Sequence, residues 1–106
     1  MQPKIMPRTF APSRKDGTQP ATETAFRDAG WSVCDVHAVG RNAPDLFVAK
    51  HMLTIAIECK SPGEKRQAHQ VEWADEWQGR YLCGEDALDL LTSAEELLSE
   101  TEAMLK

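Results

Sequence analysis

Apolar and polar residues alternate along this chain with two different spacings, one typical of helices and the other of strands. Residues 18–29 show helical spacing, and Gly30 provides a natural helix end. Later segments alternate in the manner of strands and are separated by glycine and proline. The predicted elements are, in order, a helix over residues 18–29, strands over 31–39, 45–49 and 53–60, a helix over 66–78, a strand over 80–83, and helices over 85–91 and 93–106.

The order α-β-β-β-α-β-α-α predicts an α/β fold in which a mixed central sheet of about four strands is flanked by helices. A chain of 106 residues has the size of one domain. We expect residues 1–17 to form a flexible basic arm and residues 18–92 to form the core. Residues 93–106 are predicted to be a separate amphipathic helix.

This last helix has a start signal, because Ser93 and Glu96 have the spacing of a capping box. Apolar residues follow it with helical periodicity and form one stripe. The stripe could pack against the core, or it could pair with the same helix of a second copy.

The net charge of −5 is unevenly distributed. Residues 85–106 hold seven acids and one lysine, so the rest of the chain carries +1. The arm contributes Lys4, Arg8, Arg14 and Lys15, either as a solvated segment or as a contact for phosphates. An acidic total therefore does not exclude a nucleic-acid partner, since a local basic patch suffices.

Several functional classes find no support in the sequence. No apolar run approaches the roughly 20 residues that span a bilayer, and the N-terminus lacks the apolar core of a secretory signal. We therefore expect a cytoplasmic protein with no membrane partner and no small-molecule organic cofactor. Cys34, Cys59 and Cys83 are expected to be reduced thiols, because their spacing fits no zinc site.

Candidate chemistry lies on the third predicted strand and beside it. Glu58 and Lys60 are two residues apart, so they share one face of the strand. Asp45 begins the neighbouring strand, and a hairpin would bring it close to both. Two carboxylates with a backbone carbonyl, that of Cys59, can hold Mg²⁺ or Mn²⁺, and a lysine beside them can stabilise negative charge. A surface salt bridge between Glu58 and Lys60 is the alternative interpretation.

These residues resemble the signature of the PD-(D/E)XK nuclease superfamily, and in particular of its virus-type replication-repair nuclease (VRR-NUC) family. The resemblance covers about residues 20–91, and Ala43 departs from the glycine that the family usually has there. The matching motifs are GRNAPDLFV (40–48), IAIECKSPG (55–63), Gln70 with Trp73, and GRYLCGEDALDLL (79–91).

The resemblance implies a restriction-endonuclease-like core and a metal-dependent DNA endonuclease. It implies that Asp45, Glu58 and Lys60 are catalytic, with Gln70 assisting near the metal-bound water or the phosphate. Gln67 lies one turn earlier and is the alternative to Gln70.

The family's first helix carries an acidic residue that can support a second metal, and Glu23 occupies that position here. Arg41, Lys65 and Arg66 flank the site and are candidates for DNA phosphate contacts. With Lys60 they would form a local positive patch.

The resemblance further implies branched DNA, such as Holliday junctions or flaps, as the substrate in phage or bacterial replication and repair. Two cuts related by symmetry would suit a homodimer. A different hypothesis is a catalytically silent nuclease-fold module that binds nucleic acid or protein. The acidic C-terminal segment motivates it, whereas the complete set of Asp45, Glu58, Lys60 and Gln70 argues against it.

Overall fold

The strands of this protein form one mixed sheet, and helices pack on it. The computed structural model describes residues 18–39 and 43–105. Its elements are α1 (Thr18–Asp28), β1 (Ser32–Asp35), β2 (Leu46–Lys50), β3 (Leu53–Cys59), α2 (Ala68–Glu76), β4 (Arg80–Gly84) and α3 (Ala87–Met104). The sheet order is β1-β2-β3-β4, antiparallel except for the parallel pair of β3 with β4. The predicted α/β class with a four-stranded mixed sheet is confirmed.

One face of the sheet carries the hydrophobic core. Ile55 and Ile57 on β3 are fully buried there, as is Leu46, which pairs with Ile57. Removing an isoleucine side chain from water stabilises a fold by roughly 1.5–3 kcal/mol, so β3 anchors this layer. Helices α1 and α3 cover the face with their own buried residues, namely Phe26, Leu90, Ala94 and Leu98.

The opposite face is covered more lightly, through aromatic side chains. Phe47 on β2 and Tyr81 on β4 both pair with Ala56 of β3 and so share this face. Trp73 and Trp77 of α2 stack on each other at 5.0 Å between ring centroids, and Trp77 lies 5.7 Å from Phe47. No residue of α2 is fully buried, so this helix is held on the sheet mainly by its indole rings.

A tight turn joins β2 to β3. His51 and Met52 both have positive φ, at 50° and 73°, as the favoured two-residue hairpin turns require. The predicted hairpin is therefore present, with Lys50 as the last residue of β2 rather than part of the loop. The His51 imidazole also contacts Glu102 on α3, with Nδ1 and Oε2 2.7 Å apart.

The two helices predicted over residues 85–91 and 93–106 are one helix, α3, which corrects the order to α-β-β-β-α-β-α. Asp86 caps it, accepting a hydrogen bond from the Asp89 N–H at 3.1 Å. The capping box of Ser93 and Glu96 was thus a wrong prediction, and the boundary at residues 92/93 falls inside a continuous helix. Ala94 and Leu98 of its apolar stripe are buried in the core and Leu97 packs against it, whereas Met104 and Leu105 are exposed.

The first strand and the second helix are shorter than predicted. Strand β1 ends at Asp35 instead of residue 39, and α2 spans nine residues instead of 66–78. The predicted arm over residues 1–17 and the candidate Arg41 lie outside the described residues. Within residues 18–39 and 43–105, no helix has the length and apolar character needed to cross a membrane. All three cysteines carry free thiols.

Candidate functional site

The carboxyl end of β3 carries two buried charged residues side by side. Glu58 is 4% exposed and Lys60 is 3% exposed, on a protein whose other buried residues are mostly apolar. Strand alternation puts both side chains on the same face as Ala56, the face that α2 covers. Buried charges need partners, so the groups around Glu58 and Lys60 decide what this end of the sheet can do.

Asp45 reaches the same end of the sheet from the neighbouring strand. The pairing of Leu46 with Ile57 places Asp45 next in register to Glu58. The Asp45 N–H donates to the Ile57 carbonyl at 3.1 Å, and Asp45 Oδ2 accepts from the Cys59 N–H at 2.8 Å. The three side chains singled out in the sequence therefore come together where the hairpin opens.

The Gln70 side chain is hydrogen-bonded to both Lys60 and Glu58. Its Oε1 accepts from Lys60 Nζ at 2.6 Å, and its Nε2 donates to Glu58 Oε2 at 3.1 Å. The same Oε1 accepts from the Gln67 N–H at 2.8 Å, which caps the first turn of α2. Of the two glutamines considered, Gln70 is the one whose side chain contacts Glu58 and Lys60.

The residues present suit a hard divalent cation. Asp45 and Glu58 offer carboxylate oxygens, and the Cys59 carbonyl leaves β3 on the same edge as the N–H that binds Asp45. No cluster of three His, Cys, Asp or Glu side chains able to hold a metal occurs among the described residues. Two carboxylates plus a carbonyl fit Mg²⁺, which keeps several of its own waters, better than a metal that requires a full protein cage.

Glu23 lies in a separate buried polar cluster on α1. It is 6% exposed, accepts from Gln19 Nε2 at 3.0 Å, and pairs with Arg27 at 3.3 Å. Gln19 also donates to Asp35 at the end of β1, at 3.1 Å. These contacts connect Glu23 to the end of β1. That Glu23 supports a second metal stays a prediction.

The predicted phosphate contacts differ in their surroundings. Lys65 and Arg66 are both exposed just before α2, and the Arg66 guanidinium lies 5.9 Å above the Tyr81 ring centroid. Lys60 Nζ lies 3.9 Å from a Glu64 carboxylate oxygen.

Three contributors to this region were not identified from the sequence. The Thr18 hydroxyl lies 2.8 Å from the Lys60 carbonyl oxygen and 3.1 Å from that of Glu85, which ties α1 to the ends of β3 and β4. Tyr81 lies under Arg66, and Cys83 pairs in register with Glu58. The alternation of β4 would have placed Tyr81 and Cys83 on one face, but nothing in the sequence fixed the register of β4 against β3.

Burial shifts the pKa of both of these β4 side chains. It raises the pKa of Tyr81 to about 12, with the Arg66 cation acting in the opposite direction. Burial also raises the pKa of the Cys83 thiol, again opposed by Arg66. Both groups are therefore neutral near pH 7, and Cys83 does not present a thiolate beside Glu58.

The fold is similar to that of a solved structure described as a VRR_NUC domain. The superposition has a TM-score of 0.63 at 20% sequence identity and covers 74% of this chain and 90% of that chain. The sequence matches no protein-family model and no curated protein. The structural similarity shows a VRR-NUC-like fold, as the motifs in the sequence had suggested.

Proposed function

We propose that this VRR-NUC-like fold is a metal-dependent DNA endonuclease that hydrolyses phosphodiester bonds. The observation that carries the proposal is the convergence of Asp45, Glu58 and Lys60 at one end of β3, with Gln70 bonded to both Glu58 and Lys60. A surface salt bridge would not account for it, because Glu58 and Lys60 are buried and a neutral amide is bonded to both.

Asp45, Glu58 and the Cys59 carbonyl would hold Mg²⁺ or Mn²⁺. When bound, the ion lowers the pKa of a coordinated water and offsets negative charge on the phosphate. The Cys59 N–H keeps the Asp45 carboxylate at the end of β3, and Gln70 Nε2 keeps the Glu58 carboxylate in place. The protein thus fixes both acidic ligands by hydrogen bonds before substrate arrives.

Lys60 would stabilise the negative charge that develops on the phosphate oxygens. Its ammonium group is oriented by Gln70 Oε1 and is largely shielded from solvent, where a fixed charge acts more strongly than in water. Gln70 would serve the reaction by holding Lys60 and Glu58 in one geometry.

We further propose branched DNA as the substrate, a homodimer as the working form, and the cytoplasm of a bacterium or a phage-infected cell as the location. Lys65, Arg66 and Arg41 would contact the DNA backbone around the site. Glu23 could support a second metal from α1. These finer assignments follow from the family resemblance, and the positions of Lys65 and Arg66 before α2 agree with them.

The test is metal-dependent cleavage of a four-way junction, a flap and a linear duplex by wild type and by Asp45→Asn. Loss of this carboxylate should lower the cleavage rate by about 10²–10³, comparable to removing one transition-state stabiliser. The matched control is Glu72→Gln, which removes one charge from an exposed position on α2. Equal rates for Asp45→Asn and wild type would contradict the proposal.

A second candidate is a nuclease-fold module that binds nucleic acid or protein without cutting. Helix α3 favours it, because its acids are accompanied by no lysine, arginine or histidine within Ala87–Met104. Such a module would shift DNA in a gel in the presence of EDTA, yet cleave none of the three substrates with Mg²⁺ or Mn²⁺.

A further inference from the structure

Arg66 is an exposed cation that lies just before α2 and has no acidic partner among the described residues. Arg27 pairs with Glu23 and Lys50 with Glu95, whereas Arg66 is exposed and forms no ion pair within residues 18–39 and 43–105. A guanidinium that forms no ion pair with a described residue is available to an anion from outside the molecule. Its position therefore matters more than its charge alone.

That position is set by an aromatic ring. The guanidinium lies 5.9 Å from the Tyr81 ring centroid, and a cation over the face of an aromatic ring is attracted to it. The ring is itself held in place, because Trp73 packs 6.2 Å away and β4 pairs Tyr81 with Ala56. The buried Tyr81 hydroxyl makes no hydrogen bond of good distance and angle within the described part of the chain, although Arg66 is near enough to oppose the rise in its pKa, so we assign the positioning contact to the ring.

The ring and Glu58 lie on the same face of the sheet. Tyr81 pairs with Ala56, two residues before Glu58, and Cys83 pairs with Glu58 itself. Arg66 also immediately precedes the residues that begin α2, where Gln70 contacts Glu58 and Lys60. The backbone of Arg66 is thus placed by the start of α2, and its guanidinium lies over Tyr81, on the face of the sheet that carries Glu58.

We propose that Arg66, positioned by the Tyr81 ring, forms a subsite for a non-scissile phosphate of the DNA strand that enters the site. A guanidinium over a ring keeps its N–H edge available, and its planar fork matches two phosphate oxygens. Arg66 is then a binding residue and Tyr81 a positioning residue. The identity of the ligand as DNA rests on the proposed function.

The experiment measures binding of a four-way junction in EDTA over a series of salt concentrations, so that no cleavage occurs. Arg66→Gln should weaken binding and reduce the slope of log K against log salt by about 0.9, the value for one phosphate contact on duplex DNA. The matched control is Arg80→Gln, an exposed arginine at the start of β4 that pairs with Ile55 and so belongs to the other face. It should leave the slope unchanged.

The positioning role is tested by two changes at Tyr81. Tyr81→Phe keeps the ring and should bind DNA as wild type does, whereas Tyr81→Leu removes the ring and should reproduce the weaker binding of Arg66→Gln. In DNA-free protein, the NMR resonances of the Arg66 side chain should lose their ring-current shift in Tyr81→Leu and keep it in Tyr81→Phe. In cleavage assays, Arg66→Gln and Tyr81→Leu should raise KM and leave kcat nearly unchanged.

The outcomes separate this subsite from the proposed activity. If wild type cleaves DNA while Arg66→Gln and Arg80→Gln bind it equally well, the subsite is overturned and the nuclease stands. If wild type binds DNA with the expected Arg66 dependence but never cleaves it, the subsite stands and the catalytic proposal fails. Equal binding by Tyr81→Leu and wild type would remove Tyr81 from the subsite, and absence of any DNA binding would overturn both proposals.

Discussion

The Gln70 side chain uses both ends of its amide in the candidate site. The oxygen accepts from Lys60 and from the Gln67 N–H, and the nitrogen donates to Glu58. A carboxylate of the same size could keep the first two contacts but would face Glu58 with a like charge. The amide is therefore the group that can satisfy an acid and a base at once.

Replacing Gln70 tests this arrangement. Gln70→Ala should lower the rate of metal-dependent cleavage about 10- to 100-fold, the usual cost of losing a partner that orients metal ligands. Gln70→Glu should bind Mg²⁺ with altered affinity, because it adds a carboxylate beside Glu58. Steady-state cleavage over a range of Mg²⁺ concentrations measures both effects.

The control for this series is Gln67→Ala, which keeps the backbone N–H that donates to Gln70 Oε1 and replaces the exposed N-cap side chain of α2. It should cleave at nearly the wild-type rate. If Gln67→Ala is impaired and Gln70→Ala is not, the assisting role belongs to the other glutamine.

Tyr81 gives the fold a specific sensitivity to alkaline pH. Its pKa is about 12 in the folded protein and 10.0 when exposed, so folding favours the neutral phenol. This contribution is complete below pH 10 and is lost as the pH rises toward 12. The free energy of unfolding should fall over that window, and less steeply in Tyr81→Phe.

Denaturant unfolding of both proteins at several pH values measures the difference, and the comparison cancels the other groups that titrate there. Tyr81 is the chain's one tyrosine, so tyrosinate absorbance reports its ionisation directly. Identical pH profiles for wild type and Tyr81→Phe, or ionisation centred near pH 10, would contradict the burial of this phenol.

At the scale of elements, the buried strands were the most predictable part of the fold. Strands β2 and β3 lie within one residue of their predicted bounds, because large apolar side chains alternate onto the core face of both strands. Strand β1 is shorter than its alternation predicts, because a strand also needs a partner. Beyond Asp35 the Val36 N–H still donates to the Asp45 carbonyl of the next strand segment, whereas the His37 and Val39 N–H groups donate within their own segment, and Pro44 has no N–H to offer.

In helix α3, packing against the core overrides a local helix-start signal in the sequence. The residues Ser93 and Glu96 have capping spacing, but they also fit the middle of a helix with no glycine or proline nearby. Leu90, Ala94 and Leu98 follow one another at intervals of four and are all buried against the sheet. A break at residue 92 would have separated Leu90 from the other two, so tertiary burial keeps the helix continuous.

The candidate site was predictable in part for the same reason. Alternation places Glu58 and Lys60 on one face, and a hairpin with a two-residue turn fixes Asp45 beside them. The contacts of Gln70 depend on how α2 lies over the sheet, and α2 is held by Trp73 and Trp77 rather than by a regular buried stripe. The family resemblance, not periodicity, indicated Gln70 in the sequence.

At the scale of the molecule, the outer surface of α1 and α3 is a candidate for contact with a second copy. An open apolar groove runs between these helices, lined by residues that include Ala21, Ala25, Leu91 and Leu88, and Leu88 is 67% exposed. Since Leu90, Ala94 and Leu98 of α3 are already buried in the core, this groove is where we expect the proposed homodimer to form.

Light scattering at micromolar concentration measures the mass in solution, and twice the mass of one chain is the expected result. Leu88→Glu should shift the protein toward monomer, because it buries a charge at the interface. The matched change Met104→Glu, at an exposed position near the end of α3, should leave the mass unchanged. A wild-type protein that remains monomeric would exclude this dimer.

The residue between Glu58 and Lys60 serves two parts of the molecule with different atoms. The Cys59 side chain is fully buried in the core, while its backbone N–H donates a hydrogen bond to Asp45 Oδ2. A substitution of Cys59 can therefore weaken the packing of the core without removing the side chain of Asp45, Glu58 or Lys60. Conversely, a distortion of β3 that begins at its core-facing side chains also displaces Glu58 and the Cys59 N–H that binds Asp45. The rigidity of β3 therefore determines how well these two carboxylates are positioned.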